Sequence, residues 1–150
     1  MFCLGLTVKL LYDSGMRILL PAFLVLALVG CTTETKPGTA TAVPSDKIFQ
    51  PALLTPSGAR NVPLTVTRDT GIIGMGSSVV LLVDGKEVAK LGAGQVVTIY
   101  VTPGQVVLEL RHGFYRRQYP ETIAPRTPKR YRLEIMDMAG PFLWPSPYQS

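Results

Sequence analysis

Apolar and polar residues alternate with a period of two along the middle of the chain. The pattern is most regular in Val79–Leu110, where it predicts four short strands. Turn-forming residues separate these strands: Asp84-Gly85, Gly92-Gly94 and Pro103-Gly104. Asp-Gly between two apolar runs favours a tight hairpin, because glycine readily adopts a positive φ and aspartate tolerates one. We therefore expect hairpins in this region.

The register of the first of these hairpins has two alternatives. A two-residue turn sets Leu81 opposite Val88. A three-residue turn with a glycine bulge instead sets Val80 opposite Val88. The sequence leaves both registers open.

Alternation predicts two further strands, Val62–Arg68 and Arg130–Met136. Short strands with a turn at roughly every 8–12 residues are typical of β-sandwiches and barrels. The predicted fold class is all-β, a small antiparallel β-sandwich of about six to seven strands, preceded by a signal peptide and a flexible linker.

The N-terminal region has the features of a secretory signal peptide. Basic Arg17 precedes a twelve-residue apolar run, Ile18–Val29, and a small residue, Gly30, closes it. The run is shorter than the ~20 residues that span a bilayer, so a retained transmembrane helix is the weaker interpretation. We predict that residues 1–30 are a signal peptide, with Met16 as an alternative start.

Leu28-Val29-Gly30-Cys31 resembles the lipobox of bacterial lipoproteins. The resemblance implies that the Cys31 thiol receives a diacylglyceryl group, that the chain is cut before it, and that its new amino group is acylated. Two or more acyl chains attach a protein stably to a membrane. The alternative is a buried cysteine in an ordinary apolar segment. Thr32, where an inner-membrane retention signal would be Asp, favours the outer membrane, facing the periplasm.

The remaining chain divides by composition. Residues 31–47 are rich in Thr, Pro, Ala and Gly without apolar periodicity, so we expect the lipidated cysteine and a flexible tether. Residues 48–61 mix apolar residues with prolines, which predicts a partly ordered approach loop. The β-sandwich domain is expected at 62–136, and 137–150 form a tail rich in proline and aromatic residues.

Three turn motifs resemble those of PEGA-like domains, small β-sandwiches related to the carboxypeptidase regulatory-domain and transthyretin-like folds. The motifs are Val83-Asp84-Gly85-Lys86, Thr102-Pro103-Gly104-Gln105-Val106 and Gly113-Phe114-Tyr115. Val66 to Gly71 is also similar to a set of bacterial lipoproteins of unknown function built on this domain. The resemblance implies a non-catalytic adhesion, scaffold or carbohydrate-envelope role, and the fold alone implies nothing finer.

Positive charge is concentrated between residues 111 and 132. Seven basic residues face a single acid, Glu121, in this stretch: Arg111, Arg116, Arg117, Arg126, Lys129, Arg130 and Arg132. Arg130 and Arg132 share one face of the last predicted strand, and Arg111 joins them if the strands are neighbours. We expect a surface for acidic envelope glycans or anionic lipid head groups. The alternative is a solvated face that keeps the domain soluble.

The C-terminal tail carries aromatic residues between prolines, namely Phe142, Trp144 and Tyr148. A tail this apolar is not expected to lie free in water. It either packs over an edge of the sandwich, which would protect an edge strand, or presents a proline-rich segment to a partner.

Candidate chemistry is sparse. His112 is the only histidine, and Cys31 would be the single mature cysteine, so we predict no catalytic residue, metal or cofactor beyond the acyl chains on Cys31. Gly71-x-x-Gly74-x-Gly76 lacks the Gly-Lys-Ser/Thr of a phosphate-binding loop. The export signal argues against a nucleic-acid partner.

These expectations combine into a lipid-anchored periplasmic envelope protein. Its role is expected to be non-catalytic, with another envelope protein or an envelope glycan as partner. One alternative is a carbohydrate- or anionic-lipid-binding protein that uses the basic surface from Arg111 to Arg132. A remote alternative is a hydrolase, which would need His112 beside a hydroxyl or two carboxylates in one pocket.

Overall fold

A computed structural model describes Thr35 and residues 38–71, 76–136 and 139–147. The predicted signal peptide, Cys31 and Tyr148 lie outside these residues. Among the described residues there are nine strands: β1 (Thr41–Ala42), β2 (Val62–Arg68), β3 (Val79–Val83), β4 (Lys86–Leu91), β5 (Gln95–Val101), β6 (Gly104–His112), β7 (Tyr115–Ile123), β8 (Lys129–Met136) and β9 (Gly140–Pro145). Two short 3₁₀ helices, Ser45–Lys47 and Pro51–Leu54, precede β2. The prediction of an all-β fold is confirmed.

The strands form two sheets around one hydrophobic core. The first sheet has five strands in the order β1-β5-β2-β8-β9, and the second has four in the order β4-β3-β6-β7. Neighbouring strands are antiparallel except in two pairs, β1 with β5 and β2 with β8. The nine strands exceed the six to seven expected, because β1, β7 and β9 lie where the sequence indicated linker, loop and tail.

Alternate residues of the central strands supply the core. Each of these side chains is fully buried: Val62, Leu64, Val66, Leu81, Ile99, Leu108, Leu110 and Leu133. Full burial of one aliphatic side chain of this size is worth about 1.5–3 kcal/mol, so the period-two pattern carries most of the packing energy. The residues between them point away from the core and form the two outer faces of the sandwich.

The hairpin between β3 and β4 has a two-residue turn, but neither predicted pairing of Val88 occurs. Asp84 and Gly85 both have positive φ values, of 49° and 75°. Leu82 pairs with Glu87 as a two-residue turn requires, and then the register shifts so that Leu81 pairs with Ala89. The bulge allows two successive residues of β4, Val88 and Ala89, to be buried.

β7 tolerates a proline because it is an edge strand. Pro120 pairs with Val107 of β6, whose amide donates to Asp84 Oδ1 at 2.9 Å and whose carbonyl accepts from the Asp84 amide at 2.9 Å. Both polar groups of Val107 therefore point away from β7. The missing N–H of Pro120 would have faced the open edge, where it leaves no ladder bond unmade.

β9 is the edge of the five-stranded sheet and is capped by side chains of β7. The Leu143 amide donates to the Tyr119 hydroxyl at 3.0 Å, and that hydroxyl donates to the Pro141 carbonyl at 3.4 Å. Pro141 and Pro145 lie two residues on either side of Leu143, so on this edge they present no amide donors. The tail thus packs on the sandwich edge over the residues that the structure describes.

Part of the predicted tether belongs to the first sheet. The Thr41 amide donates to the Gly94 carbonyl at 3.0 Å, and the Val43 amide donates to the Val96 carbonyl at 3.1 Å. Val43 is also buried in the core. Residues 41–43 of the predicted tether are therefore paired with β5, which corrects the predicted boundary. A single apolar residue beyond a polar stretch gave too weak a periodic signal to show this.

Candidate functional site

The seven basic residues that are close in sequence lie in different parts of the fold. Three belong to the four-stranded sheet: Arg111, Arg116 and Arg117. Three belong to β8 of the five-stranded sheet: Lys129, Arg130 and Arg132. Arg126 lies in the exposed turn between β7 and β8, at a φ of 57°. Arg111 does not join Arg130 and Arg132, because β6 and β8 belong to different sheets.

Arg111 is held by carboxylates on the outer face of the four-stranded sheet. Its Nη1 donates to Glu87 Oε1 at 2.7 Å, and its Nη2 lies 3.5 Å from Glu109 Oε1. Gln118 Nε2 donates to the other oxygen of Glu109 at 3.0 Å. This arginine is therefore engaged in intramolecular pairs that fix the surface of its own sheet.

Arg117 contacts the C-terminal strand. Its guanidinium carbon lies 3.8 Å from the centre of the Phe142 ring, and its Nη2 donates to the Ala139 carbonyl at 3.0 Å. Phe142 in turn stacks on Trp144, with ring centres 5.8 Å apart and planes within 8°. One predicted anion-binding residue and one predicted partner-binding residue thus contact each other, and both stabilise the seam between β7 and β9.

Arg130 and Arg132 line a groove on the outer face of the five-stranded sheet. The groove has a volume of about 260 Å³. We call it the Thr-Arg groove after the side chains on its floor and one wall: Thr65, Thr67, Thr98, Arg130 and Arg132. Thr35, Gly38, Ala40 and Ser146 also line the groove.

Strand pairing places these side chains in two rows across β5, β2 and β8. In one row Thr65 pairs with Thr98 on one side and Arg130 on the other. In the next row Thr67 lies between Val96 and Arg132. The rows are roughly 7 Å apart, the distance between alternate residues of a strand. The groove therefore offers two guanidinium groups beside a floor of hydroxyl groups.

Asp69 orients one of the two arginines. Arg132 Nε donates to Asp69 Oδ2, and the side chain of Asp69 is only 5% exposed. Asp69 Oδ1 accepts a hydrogen bond from the Thr35 amide at 3.3 Å. Glu134 lies farther away, with its Oε1 3.9 Å from Arg132 Nη2. The charge of Arg132 is largely offset by Asp69, and Arg130 adds a second guanidinium group to the groove.

Sequence reasoning found the two arginines but missed the threonines and Asp69. Thr65 and Thr67 occupy the polar positions of β2, so the same alternation that identified the core also marks them as outward-facing. Thr98 holds the equivalent position in β5 and hydrogen-bonds Thr65, with 2.9 Å between the two Oγ1 atoms. Which outward residues become neighbours depends on strand order, which local alternation does not contain.

Two buried ionisable side chains, those of Arg68 and Tyr131, lie close to the groove but present no charged group to it. Arg68 Nη1 donates to the Ser77 and Leu91 carbonyls, each at 2.8 Å, and burial lowers the pKa of the Arg68 guanidinium. The Tyr131 phenol points into the core between Arg130 and Arg132, and burial, followed by the neighbouring Glu121 carboxylate, raises its pKa. Burial therefore favours the protonated phenol of Tyr131 but disfavours the charged guanidinium of Arg68, which the two carbonyl acceptors compensate.

The residues considered for catalysis have structural partners. His112 Nδ1 lies 3.1 Å from the Ser78 carbonyl oxygen, which can only accept, so Nδ1 carries the proton. Asp84 occupies the β3–β4 turn and pairs with Val107. Within the described residues, no group of three His, Cys, Asp or Glu side chains is placed to hold a metal ion. Those residues also include no helix long and apolar enough to cross a bilayer.

A second cavity, of about 290 Å³, lies at the opposite end of the sandwich, near the β3–β4 turn. Its charged lining residues are Arg60 and Asp84. The Arg60 Nη1 donates to the Ala52 carbonyl at 3.0 Å, and the Asp84 carboxylate is bonded to Val107. Both charged groups are thus used within the fold, and this cavity has one arginine where the Thr-Arg groove has two.

Comparisons of the chain with protein-family models, curated proteins and solved structures found no significant match.

Proposed function

We propose that this protein is a lipid-anchored, non-catalytic binding module of the bacterial cell envelope whose Thr-Arg groove binds an acidic glycan. The observation that carries the proposal is the combination of two arginines and three threonines on one sheet face beside a cavity of about 260 Å³. A sugar acid carries the two kinds of group that such a surface complements: an anionic group and several neutral hydroxyls.

Each type of side chain suits one part of such a ligand. A guanidinium presents parallel N–H donors that match a carboxylate or phosphate, and these charge-assisted bonds are stronger than neutral ones. A threonine hydroxyl can both donate and accept, as a sugar hydroxyl can. The Thr65–Thr98 hydroxyl pair leaves lone pairs available for a further bond.

The cellular location in this proposal is supported by the sequence. Leu28-Val29-Gly30-Cys31 resembles a lipobox, and Val66 to Gly71 is similar to a set of bacterial lipoproteins built on a PEGA-like domain. We infer that Cys31 is acylated and that the domain faces the periplasm from the outer membrane. An acidic glycan is then within reach of the domain.

The groove is tested by titrating the mature acylated protein in detergent with a uronic-acid oligosaccharide and with its neutral counterpart. Loss of a hydrogen bond to a charged group costs about 1.5–3 kcal/mol, so Arg130→Gln should weaken binding of the acidic oligosaccharide by roughly 10- to 100-fold. The neutral oligosaccharide should bind weakly to both proteins.

Arg116→Gln is the matched control, because Arg116 is exposed on the other sheet and has the same charge. It should leave the affinity within a factor of two or so of wild type, since single surface charges contribute little. Equal affinities of the Arg130→Gln variant and the wild-type protein would refute the proposed site.

The anchor is tested separately by intact-protein mass spectrometry and by flotation of membranes. Acyl chains should add mass to a chain that begins at Cys31, and Cys31→Ser should remove both the added mass and the membrane association. A Cys31→Ser protein that still floats with membranes would exclude the anchor without affecting the groove.

A further inference from the structure

One end of the sandwich gathers the turn between β6 and β7, the turn between β8 and β9, and the start of the described chain. We call it the Phe114 end. The C-terminal ends of β2, β4, β6 and β8 and the N-terminal ends of β5, β7 and β9 all lie there. The two sheets meet at this end through Arg68, which bonds the carbonyl oxygens of Ser77 and Leu91 from the opposite sheet.

The chain reaches the domain at the Phe114 end. The Thr35 amide donates to Asp69 Oδ1 at 3.3 Å, and its hydroxyl donates to the Arg68 carbonyl at 3.3 Å. From Thr41 the chain then runs parallel to β5, away from this end. Thr35 is thus held at the point where β2 finishes.

Very little chain separates this contact from the proposed lipid attachment. Cys31 precedes Thr35 by four residues. A fully extended chain advances at most about 3.3–3.6 Å per residue, so Cys31 lies no more than about 14 Å from Thr35. An acylated Cys31 therefore keeps the Phe114 end close to the bilayer.

The same end exposes large apolar side chains. Phe114 is fully exposed, at 104% of its reference area, at the tip of the β6–β7 turn. Tyr115 follows it, and Met136 lies at the end of β8; each of these two is 43% exposed. Amphipathic aromatic side chains such as tyrosine favour the interface between lipid and water.

The tip has a defined position and carries positive charge. Tyr115 packs against Gly140, where an added Cβ would lie only 2.7 Å from the Tyr115 ring. Arg116 follows Tyr115 on an exposed position and pairs in register with Arg111. A basic residue near an anionic membrane surface is attracted by about 1 kcal/mol.

We propose that the Phe114 end is a membrane-docking surface, with the Phe114 ring inserted into the interface of an anionic phospholipid bilayer. The proposal rests on acylation of Cys31 and goes beyond it, because it fixes the orientation of the domain. The Thr-Arg groove, on the outer face of the five-stranded sheet, then opens sideways into the periplasmic space.

The orientation is measured with tryptophan fluorescence on the mature acylated protein. Trp144 is the single tryptophan of the chain, so Trp144→Phe provides a silent background. Phe114→Trp places a probe at the docking end, and Thr102→Trp places one on an exposed residue at the opposite end. Both proteins are reconstituted into phosphatidylethanolamine–phosphatidylglycerol vesicles whose acyl chains are brominated.

The Phe114→Trp probe should be quenched at least twofold more than the Thr102→Trp probe, with an emission maximum shifted to the blue. Equal quenching at the two positions, with acyl mass present on Cys31, overturns the docking surface and leaves the anchor intact. Absence of acyl mass on Cys31 overturns the anchor and the docking surface together. Far-UV circular dichroism compares the fold of both variants with that of the wild-type protein.

Discussion

The two outer faces of the sandwich use the same residue types in different ways. On the four-stranded sheet Arg111 lies between Glu87 and Glu109, at 2.7 and 3.5 Å, and the face around it is filled. Leu82, which points to this face, is only 1% exposed. On the five-stranded sheet Arg130 and Arg132 line a groove floored by threonines. Arginine density in the sequence therefore does not identify a binding face; the open space beside each arginine does.

The difference follows from the residues that lie beside each arginine in the sheet. Cross-strand neighbours lie about 4.5–5.5 Å apart, close enough for direct pairing of long side chains. Arg111 reaches Glu109, two residues earlier on the same strand and face, and Glu87 of β4, whereas the cross-strand neighbour of Arg130 is Thr65. Short hydroxyl side chains leave space above the sheet, and that space is the groove.

The largest expected effect comes from removing the carboxylate that orients the groove. Asp69→Asn leaves Arg132 without its close ionic partner and should lower the free energy of unfolding by about 2–3 kcal/mol. Urea denaturation measures this loss. Glu134→Gln is the control, because Glu134 is 3.9 Å from Arg132 and should cost about 0.5 kcal/mol or less. Equal losses in the two variants would contradict the assigned role of Asp69.

A smaller effect is expected from the equivalent change on the other face. Glu109→Gln keeps the shape of the side chain, and Arg111 retains Glu87 at 2.7 Å, so the loss should be about 1 kcal/mol. The affinity for the acidic oligosaccharide should be unchanged. If the affinity instead falls as it does for Arg130→Gln, the two faces are not functionally distinct.

The buried phenol of Tyr131, on the inward face of β8, makes the stability of the fold depend on pH. Because burial raises the pKa of its phenol, the folded state keeps the proton that the unfolded state loses above about pH 10. The stability from this neutral phenol is complete below that pH and is lost as the pH rises through and above it. The loss can reach about 1.4 kcal/mol per pH unit.

Tyr131→Phe should remove this alkaline loss. Urea denaturation of both proteins between pH 7 and pH 11 should give parallel stabilities at first and a steeper fall for the wild type at the alkaline end. At pH 7 the free energy of unfolding of the variant should lie within about 1 kcal/mol of the wild-type value. The reason is that the hydroxyl has no hydrogen-bond partner at ordinary geometry among the described residues. Identical slopes would show that the phenol ionises as freely as in the unfolded chain.

The smallest expected effect concerns single hydroxyl groups on the two faces. Thr65→Val and Thr122→Val each replace an exposed or half-buried hydroxyl that makes one side-chain hydrogen bond of 2.9 Å. Both should change stability by about 1 kcal/mol or less. Only Thr65→Val should weaken oligosaccharide binding, by several-fold as expected for one neutral hydrogen bond. A similar change in affinity for both variants would argue against a contact between Thr65 and the oligosaccharide.

The strands with regular alternation could be predicted from the sequence. The predicted bounds of the strand Val62–Arg68 are those of β2, and β8 differs from its prediction by a single residue, Lys129. Burial of one strand face produces this pattern directly, so it is visible locally. β7 and β9 were missed because Pro120, Pro141 and Pro145 normally argue against strands, and edge positions remove that objection.

The site could be predicted only in part. Alternation shows that Arg130 and Arg132 share a face, and the structure places both at the groove. The groove also needs residues more than sixty positions earlier, such as Thr65 and Asp69, which β8 reaches by pairing in parallel with β2. That crossover is set by how the whole core packs, and no local pattern encodes it. The same limit applies to Arg111, which alternation could not assign to a sheet.

The last strand of the chain also determines how neighbouring molecules can meet. A foreign strand that approached β9 would need a row of free amides and carbonyls to extend the sheet. It would instead meet two prolines and one amide, at Leu143, that is already satisfied by a phenol. Strand pairing between copies of the protein is thereby hindered at this edge.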